Sequence, residues 1–271
     1  MGQAQHRGGE TMKRGIPIAL PLLMAFGAAC AQSYPERPIR LIVSYPPGGG
    51  TDTTARLFTP KLSELLGKQV IIENRSGAGS TIGTDLVAKA APDGYTLHMT
   101  DTTFGIIPGL YPKLPFDALR DFQPITQVTG VPVGMVVHPS LPVRSVKDLI
   151  ALARAKPGAL NFGSGGVGTP VHMSGELLAF PDTPTISESG VPGVIASAWF
   201  GIQAPKGTPK ATVDRLHAET VKAMREPAIK QRFESESAEV VASTPDEFRK
   251  FIGNEIGKWT KVVKDAGIKI E

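Results

Sequence analysis

The chain has 271 residues, 41% of them hydrophobic, with one cysteine and a formal net charge of +4. One cysteine excludes a disulfide framework. With 20% charged residues and dispersed glycine and proline, intrinsic disorder and collagen-like repeats are excluded as well, which leaves one or two ordinary globular domains.

A basic start (His6, Arg7, Lys13, Arg14) precedes an apolar run from Ile16 to Ala29 and then small residues, the pattern of a secretory signal peptide. The run is shorter than the ~20 apolar residues that span a bilayer, and Pro17 and Pro21 interrupt it. Ala29 and Ala31 fit cleavage before Gln32. The alternative is lipidation at Cys30, although Gly27 stands where a lipobox usually has leucine. Met12, directly before Lys13 and Arg14, is an alternative start. Cleavage after Ala31 leaves 271 − 31 = 240 residues with no cysteine and a net charge of about +2, too small to indicate nucleic acid. The expected product is soluble and exported.

Ile39 to Val43 reads as a buried strand that ends in the loop Pro46-Pro-Gly-Gly-Gly50. Ala55, Leu57, Phe58, Leu62, Leu65 and Leu66 recur at helical spacing, with Gly67 as the stop. Val70 to Ile72 predicts a second strand, and Gly77 and Gly79 open a helix through Ile82, Leu86, Val87 and Ala90. Tyr95 to Thr100 predicts a third strand. Strands alternating with helices imply a parallel sheet covered on both faces.

After Thr103 the prolines 108, 112, 115 and 124 mark a loop-rich crossing before a strand at 133–137, and an interdomain boundary is placed here. Ser145 and Asp148 start a helix to Ala155. A short strand at Leu160 to Phe162 feeds a second glycine-rich turn, Gly163 to Gly168, and a helix from about Thr169 to Ala179. Trp199 to Gln203 predicts a strand, and Thr208 with Pro209 starts a helix through Val213, Leu216, Val221 and Met224. Thr244, Pro245 and Glu247 form a capping box, from which Phe248, Phe251, Ile252, Ile256, Trp259, Val262 and Val263 make one apolar stripe.

In open α/β sheets ligands sit outside the carboxyl ends of the strands. Tyr45 to Asp52, Asp101 to Thr103 and Gly163 to Thr169 occupy that position. Two of these loops are glycine-rich and lead into helix N-termini, where free N–H groups and the helix dipole favour an anion. Thr51, Thr102, Thr103, Ser164 and Thr169 add hydroxyls. This chemistry suits a carboxylate that is bound and not transformed; tight structural turns are the alternative. Gly163, Gly165 and Gly168 spell G-x-G-x-x-G, but no acidic residue ends a second strand about 20 positions on, and no Walker loop is present. Asp52 either caps the first helix or meets a cationic group on a ligand. His98, His138, His172 and His217 are scattered with no metal-ligand spacing. His172 alone follows a glycine-rich turn. Ser164 has no base and acid partners and no Gly-x-Ser-x-Gly elbow appears, so an enzyme is not expected. Asn74, Arg75 and Ser76 match a glycosylation triplet relevant only to a eukaryotic secretory route. Trp199 either stacks on a ligand or packs in the core.

Taken together, these residues resemble the periplasmic receptors of the tripartite tricarboxylate transporters, often called Bug-type solute-binding proteins. The resemblance covers nearly all of the mature chain. Its carriers are Tyr34-Pro-Glu-Arg-Pro38, Tyr45-Pro-Pro-Gly-Gly-Gly-Thr-Asp52, Val70-Ile-Ile-Glu-Asn-Arg-Ser-Gly-Ala-Gly79, Pro92-Asp-Gly-Tyr-Thr96, Leu110-Tyr-Pro-Lys-Leu-Pro115 and Asp121-Phe122. The turn Gly163-Ser-Gly-Gly-Val-Gly-Thr169, the stretch Pro181 to Gly193 and Ala204-Pro-Lys-Gly-Thr-Pro209 complete them. The resemblance implies an α/β, two-lobed periplasmic-binding-protein fold, type II like, that closes on a small carboxylate (tricarboxylate, dicarboxylate, amino acid or aromatic acid). It implies delivery of that ligand to the transporter's membrane subunits by a receptor, expected as a monomer without cofactor or metal. Ligand contacts are carried over to Tyr45, Gly48, Gly49, Gly50, Thr51, Asp52, Thr102 and Thr103 in one lobe. Opposite them stand Ser164, Gly165, Gly168, Thr169 and His172.

The chain departs from the family after Phe180. Leu177-Leu-Ala-Phe180 runs straight into Pro181-Asp-Thr-Pro184 where relatives have roughly sixty further residues, about two βα units. The expected organisation is therefore residues 1–31 as signal peptide, 32–104 as the first part of lobe 1, 105–198 as a truncated lobe 2, and 199–271 as the return to lobe 1. The alternatives to a working receptor are a non-binding remnant or a deletion or gene-model product and, more remotely, an exported enzyme.

Overall fold

The computed structural model describes residues 34–133, 137–161, 173 and 197–268. In chain order they form β1 (Ile39–Val43), α1 (Gly50–Leu66), β2 (Val70–Asn74), a 3₁₀ turn (Ala78–Ser80), α2 (Thr81–Ala88) and β3 (Thr96–Asp101). These are followed by α3 (Thr102–Leu110), β4 (Phe122–Pro132), α4 (Val146–Ala155), β5 (Ser197–Pro205), α5 (Lys210–Arg225), α6 (Pro227–Ser235), β6 (Glu239–Val240) and α7 (Pro245–Asp265).

Six strands make one sheet in the order β2-β1-β3-β5-β4-β6. β1 pairs in parallel with β2 and β3, whereas β5 is antiparallel to both β3 and β4. The parallel pairing expected for the first three strands is present, and the sheet becomes mixed beyond them because β5 enters between β3 and β4 running the other way. Both faces are covered. On one, Ile39, Leu41, Val43, Leu97, Met99, Ile125, Val128 and Ile202 pack against Phe58 and Leu62 of α1 and Val213, Leu216 and Met224 of α5. Alternation along a strand sends Ile42 to the opposite face, where it joins Val87, Phe104, Phe122, Trp199, Phe248 and Ile252 beneath α2, α3 and α7.

Two elements differ from expectation. The strand placed at 133–137 lies earlier, at Phe122–Pro132; residues 133 and 137 carry no strand, and 134–136 are outside the described residues. Proline is tolerated in a strand at a bulge, and the register of β4 on β5 shifts between Pro124 and Thr126. α3 occupies what reads in sequence as loop. Residues 160 and 161 carry no strand, and the rest of the strand, turn and helix expected over 162–179 is outside the described residues apart from Met173, which is buried and helical.

The capping box of α7 is present: the Glu247 N–H donates to Thr244 Oγ1 at 3.3 Å and the Thr244 N–H to Glu247 Oε2 at 2.9 Å. Thr244→Ala is expected to lower stability by about 1 kcal/mol, read as a shifted urea midpoint with an unchanged slope. Among the described residues no helix is long and apolar enough to cross a membrane.

Candidate functional site

β1 and β3 run in parallel as neighbours, so their carboxyl ends deliver two loops to the same end of the sheet. From β1 the chain passes through Ser44 and Tyr45 into Gly48-Gly-Gly50 and α1. Gly48 has φ +86°, a left-handed angle that a side chain would strain. A Cβ on Gly50 would lie 3.5 Å from the Phe200 ring, so α1 begins close against β5. From β3 the chain turns directly into α3, with Asp101 as its N-cap. Two helix N-termini therefore start at adjacent strand ends.

Asp101 ties the two loops together. Tyr45 Oη donates to its Oδ1 at 3.1 Å, Thr51 Oγ1 to its Oδ2 at 2.7 Å, and the Thr103 N–H to Oδ1 at 2.9 Å. Burial pushes the Asp101 carboxyl above its ordinary range, against the lowering effect of the bonds from Thr51, Thr103 and Tyr45. Burial, with the Asp101 charge added, likewise raises the Tyr45 phenol well above its usual value. Thr102 turns inward: its Oγ1 accepts the Trp199 N–H at 2.9 Å, which anchors the start of β5 to α3.

Asp52 lies in the first turn of α1 but does not cap it; the N-cap is Gly49. Its carboxylate accepts from the Gly48 N–H at 2.9 Å, from Arg56 Nε at 2.8 Å and from Asn74 Nδ2 at 2.9 Å. Asn74 Nδ2 also donates to Tyr45 O at 3.0 Å. Arg56 foremost, with the Gly48 and Asn74 bonds, lowers the Asp52 carboxyl to about 2 against its burial. The cation that Asp52 meets is in its own helix, and the pair braces the glycine loop against β2.

Tyr45, Gly48, Gly49, Gly50, Thr51, Asp52, Thr102 and Thr103 are thus brought to one end of the sheet. Ser164, Gly165, Gly168, Thr169 and His172 lie outside the described residues. His98 is buried in mid-sheet, with Ser44 Oγ 2.9 Å from its Nε2 and Gln203 Nε2 3.1 Å from its Nδ1; burial lowers its pKa to about 3. His138 contacts Ser140 at the surface, and His217 Nε2 is 3.1 Å from Ser243 O. Trp199 belongs to the core, fully buried, edge-on to Phe248 and Phe251. Among the described residues no group of three or more metal-ligating side chains converges. Asp101 opens the loop expected at the ligand end, and its capping role, absent from the sequence expectations, has a local signal: an acidic residue at a strand end followed by Thr102-Thr103-Phe104.

The family profile described as "Tripartite tricarboxylate transporter family receptor" matches residues 54–180 and 176–268. The chain belongs to this family. Among relatives of the tripartite tricarboxylate receptor, protein BugT of Bordetella pertussis is 33% identical over 302 aligned positions, taking in 89% of this chain and 93% of BugT. The solved structure of the periplasmic binding protein BugD superposes with a TM-score of 0.74 at 26% identity, over 88% of this chain and 100% of that one. A second, R. palustris Rpa4515 with adipate, gives 0.74 at 29% identity over 87% and 99%. The mixed α/β architecture is that of the Bug-type periplasmic binding proteins, as the resemblance implied.

The receptor profile meets itself at residues 176–180, where Phe180 joins Pro181. In the BugT alignment, 89% of 271 residues is about 241, so about sixty of the 302 positions hold no residue of this chain. The junction of the two matched segments falls at the position where the loss is expected.

Proposed function

We propose that the chain is an exported receptor that captures a small carboxylate and delivers it to the membrane subunits of a tripartite tricarboxylate transporter. The observation that carries this reading is the pair of helix N-termini and hydroxyl-bearing loops at the adjacent ends of β1 and β3, in a chain of this receptor family. Backbone N–H groups at Gly49 and Gly50 and the hydroxyls of Thr51 and Thr103 offer the carboxylate its contacts; the Gly48 N–H is held by Asp52 and the Tyr45 hydroxyl by Asp101, so these two shape the loop, and Thr102 holds α3 against β5. Asp52 supports the loop through Arg56 and Asn74. Ser164, Gly165, Gly168, Thr169 and His172 are proposed as the opposing contacts. The relative that holds adipate supports the ligand class.

We also propose the two-lobed organisation, with lobe 1 built on the sheet described above; β4, within the stretch assigned to lobe 2, is hydrogen-bonded into that sheet. Residues 1–31 are proposed as the export signal, the periplasm as the compartment and the monomer as the working form. A hinge movement would close the lobes on ligand.

A ligand at 100 times its Kd adds ~2.7 kcal/mol to stability, so a thermal-shift screen of the full mature chain with adipate, malate, citrate, amino acids and aromatic acids tests the reading. A shift with at least one acid is expected. The two-segment profile match and the sixty missing positions favour a second reading, a non-binding remnant, and no shift with any acid would establish it. Turnover of a bound acid would overturn both.

A further inference from the structure

Asp101 sits between the two loops assigned to ligand capture, 9% exposed, and receives three donors: the Tyr45 hydroxyl, the Thr51 hydroxyl and the Thr103 N–H. A hydroxyl carries one proton and two lone pairs. With Asp101 ionised, the protons of Tyr45 and Thr51 both point at it, and each oxygen presents only lone pairs to a ligand. A carboxylate is also acceptor-only, so this arrangement has the wrong polarity for the ligand class proposed above.

We propose that Asp101 sets the hydrogen-bond polarity of this loop cluster, and that the chain captures its carboxylate together with one proton taken up by Asp101. The inference rests on the receptor reading. The proton comes from solvent and stays on an Asp101 oxygen. The protonated acid then donates to Thr51 Oγ1, whose own proton turns toward the ligand carboxylate. No covalent bond forms or breaks beyond that O–H.

The surroundings favour this state. Tyr45, from the β1–α1 loop, is the titratable group in contact with Asp101. α1 contributes uncharged Thr51, α3 uncharged Thr103, and β5 pairs Phe200 opposite Asp101. The nearby Asp52 is occupied by Gly48, Arg56 and Asn74. Among the described residues no cation is ion-paired with Asp101, so an arriving anion raises its proton affinity unopposed by a fixed positive partner. The burial that already lifts its pKa acts in the same direction.

Isothermal titration of the mature chain with adipate and malate, at pH 5 to 8 and in buffers of different ionisation enthalpy, tests this. The wild type is expected to take up about one proton per ligand at the alkaline end, and its affinity to fall by up to about tenfold per pH unit above the free-protein pKa of Asp101. Asp101→Asn, which cannot take up the proton, is expected to bind with no net uptake and a flat pH profile; Asp101→Ser serves if the asparagine variant misfolds. Binding to the wild type without proton uptake across this range, or equal uptake in a variant, would overturn the inference while leaving the receptor reading intact. Absence of binding heat with these acids and with every other acid of the thermal-shift screen would overturn the receptor reading, and the inference with it.

Discussion

Trp199→Ala is expected to destabilise the protein by about 3–5 kcal/mol, the range for removing a large buried aromatic. The indole is fully buried at the start of β5, edge-on to Phe248 and Phe251. Its Nε1–H donates to Glu255 Oε2 at 3.1 Å, an oxygen that also accepts the Trp259 Nε1–H at 2.9 Å. Truncation therefore opens a cavity under α3 and α7 and removes one of the two indole donors from Oε2 of a buried carboxylate whose other oxygen pairs with Lys258. Trp199→Phe keeps most of the ring volume and loses only the donor, for a loss of about 1–2 kcal/mol. Urea unfolding of both variants checks the series: near-equal losses would mean that the hydrogen bond dominates, and a loss below 1 kcal/mol in the alanine variant would contradict the core role.

Acidification is expected to destabilise the fold from about pH 6.5 downward through His98. Its folded-state pKa, about 3, lies below its ordinary 6.5 because of burial. The neutral ring's contribution is complete above pH 6.5 and is lost as the pH falls toward 3, since the unfolded chain takes up the proton first. At ~1.4 kcal/mol per pH unit the whole span amounts to about 4–5 kcal/mol. Asp52 does not contribute in the upper part of that window, because a carboxyl lowered from 3.8 to about 2 loses its stabilisation only below its unfolded value. Asp101 acts in the opposite sense: its raised pKa gives stability at low pH that is lost as the pH rises through the folded value. His98→Gln isolates the histidine. Unfolding free energies at pH 7, 6, 5 and 4 are expected to fall less steeply in the variant than in the wild type; parallel slopes would show that His98 is not the proton acceptor.

The unit from β1 to β3 was legible because its strands are short apolar runs, its helices carry apolar residues at helical spacing, and glycine or proline separates them. The Thr244-Pro245-Glu247 cap was legible for the same reason, that local chemistry and tertiary structure agree there. α3 was not, because Gly105, Pro108 and Gly109 read as loop. In the fold those glycines let α3 close on α7: a Cβ at 105 would lie 3.1 Å from Glu255 Cβ, and one at 109 only 2.9 Å from Thr260 Cα. β4 was hidden by Pro124, which falls where the ladder shifts register. At the candidate site, glycine and hydroxyl content marked the right loops. That Asp101 joins them depends on β1 and β3 being neighbours, a pairing that no local window of sequence contains.

β5 also has a consequence for the order of events in folding. It fills the middle of the sheet from residues 197–205, and its pairing of Gln203 with His98 spans 105 positions. As the chain emerges from its N-terminus, β3 and β4 each keep an unpaired edge until those residues arrive, and among the described residues no other strand pairs with those edges. Such non-local closure is slow and leaves strand edges open to aggregation in the interval. The middle of the sheet is therefore closed late, and a chain cut before residue 197 is expected to aggregate more readily than the full chain, which light scattering during refolding checks.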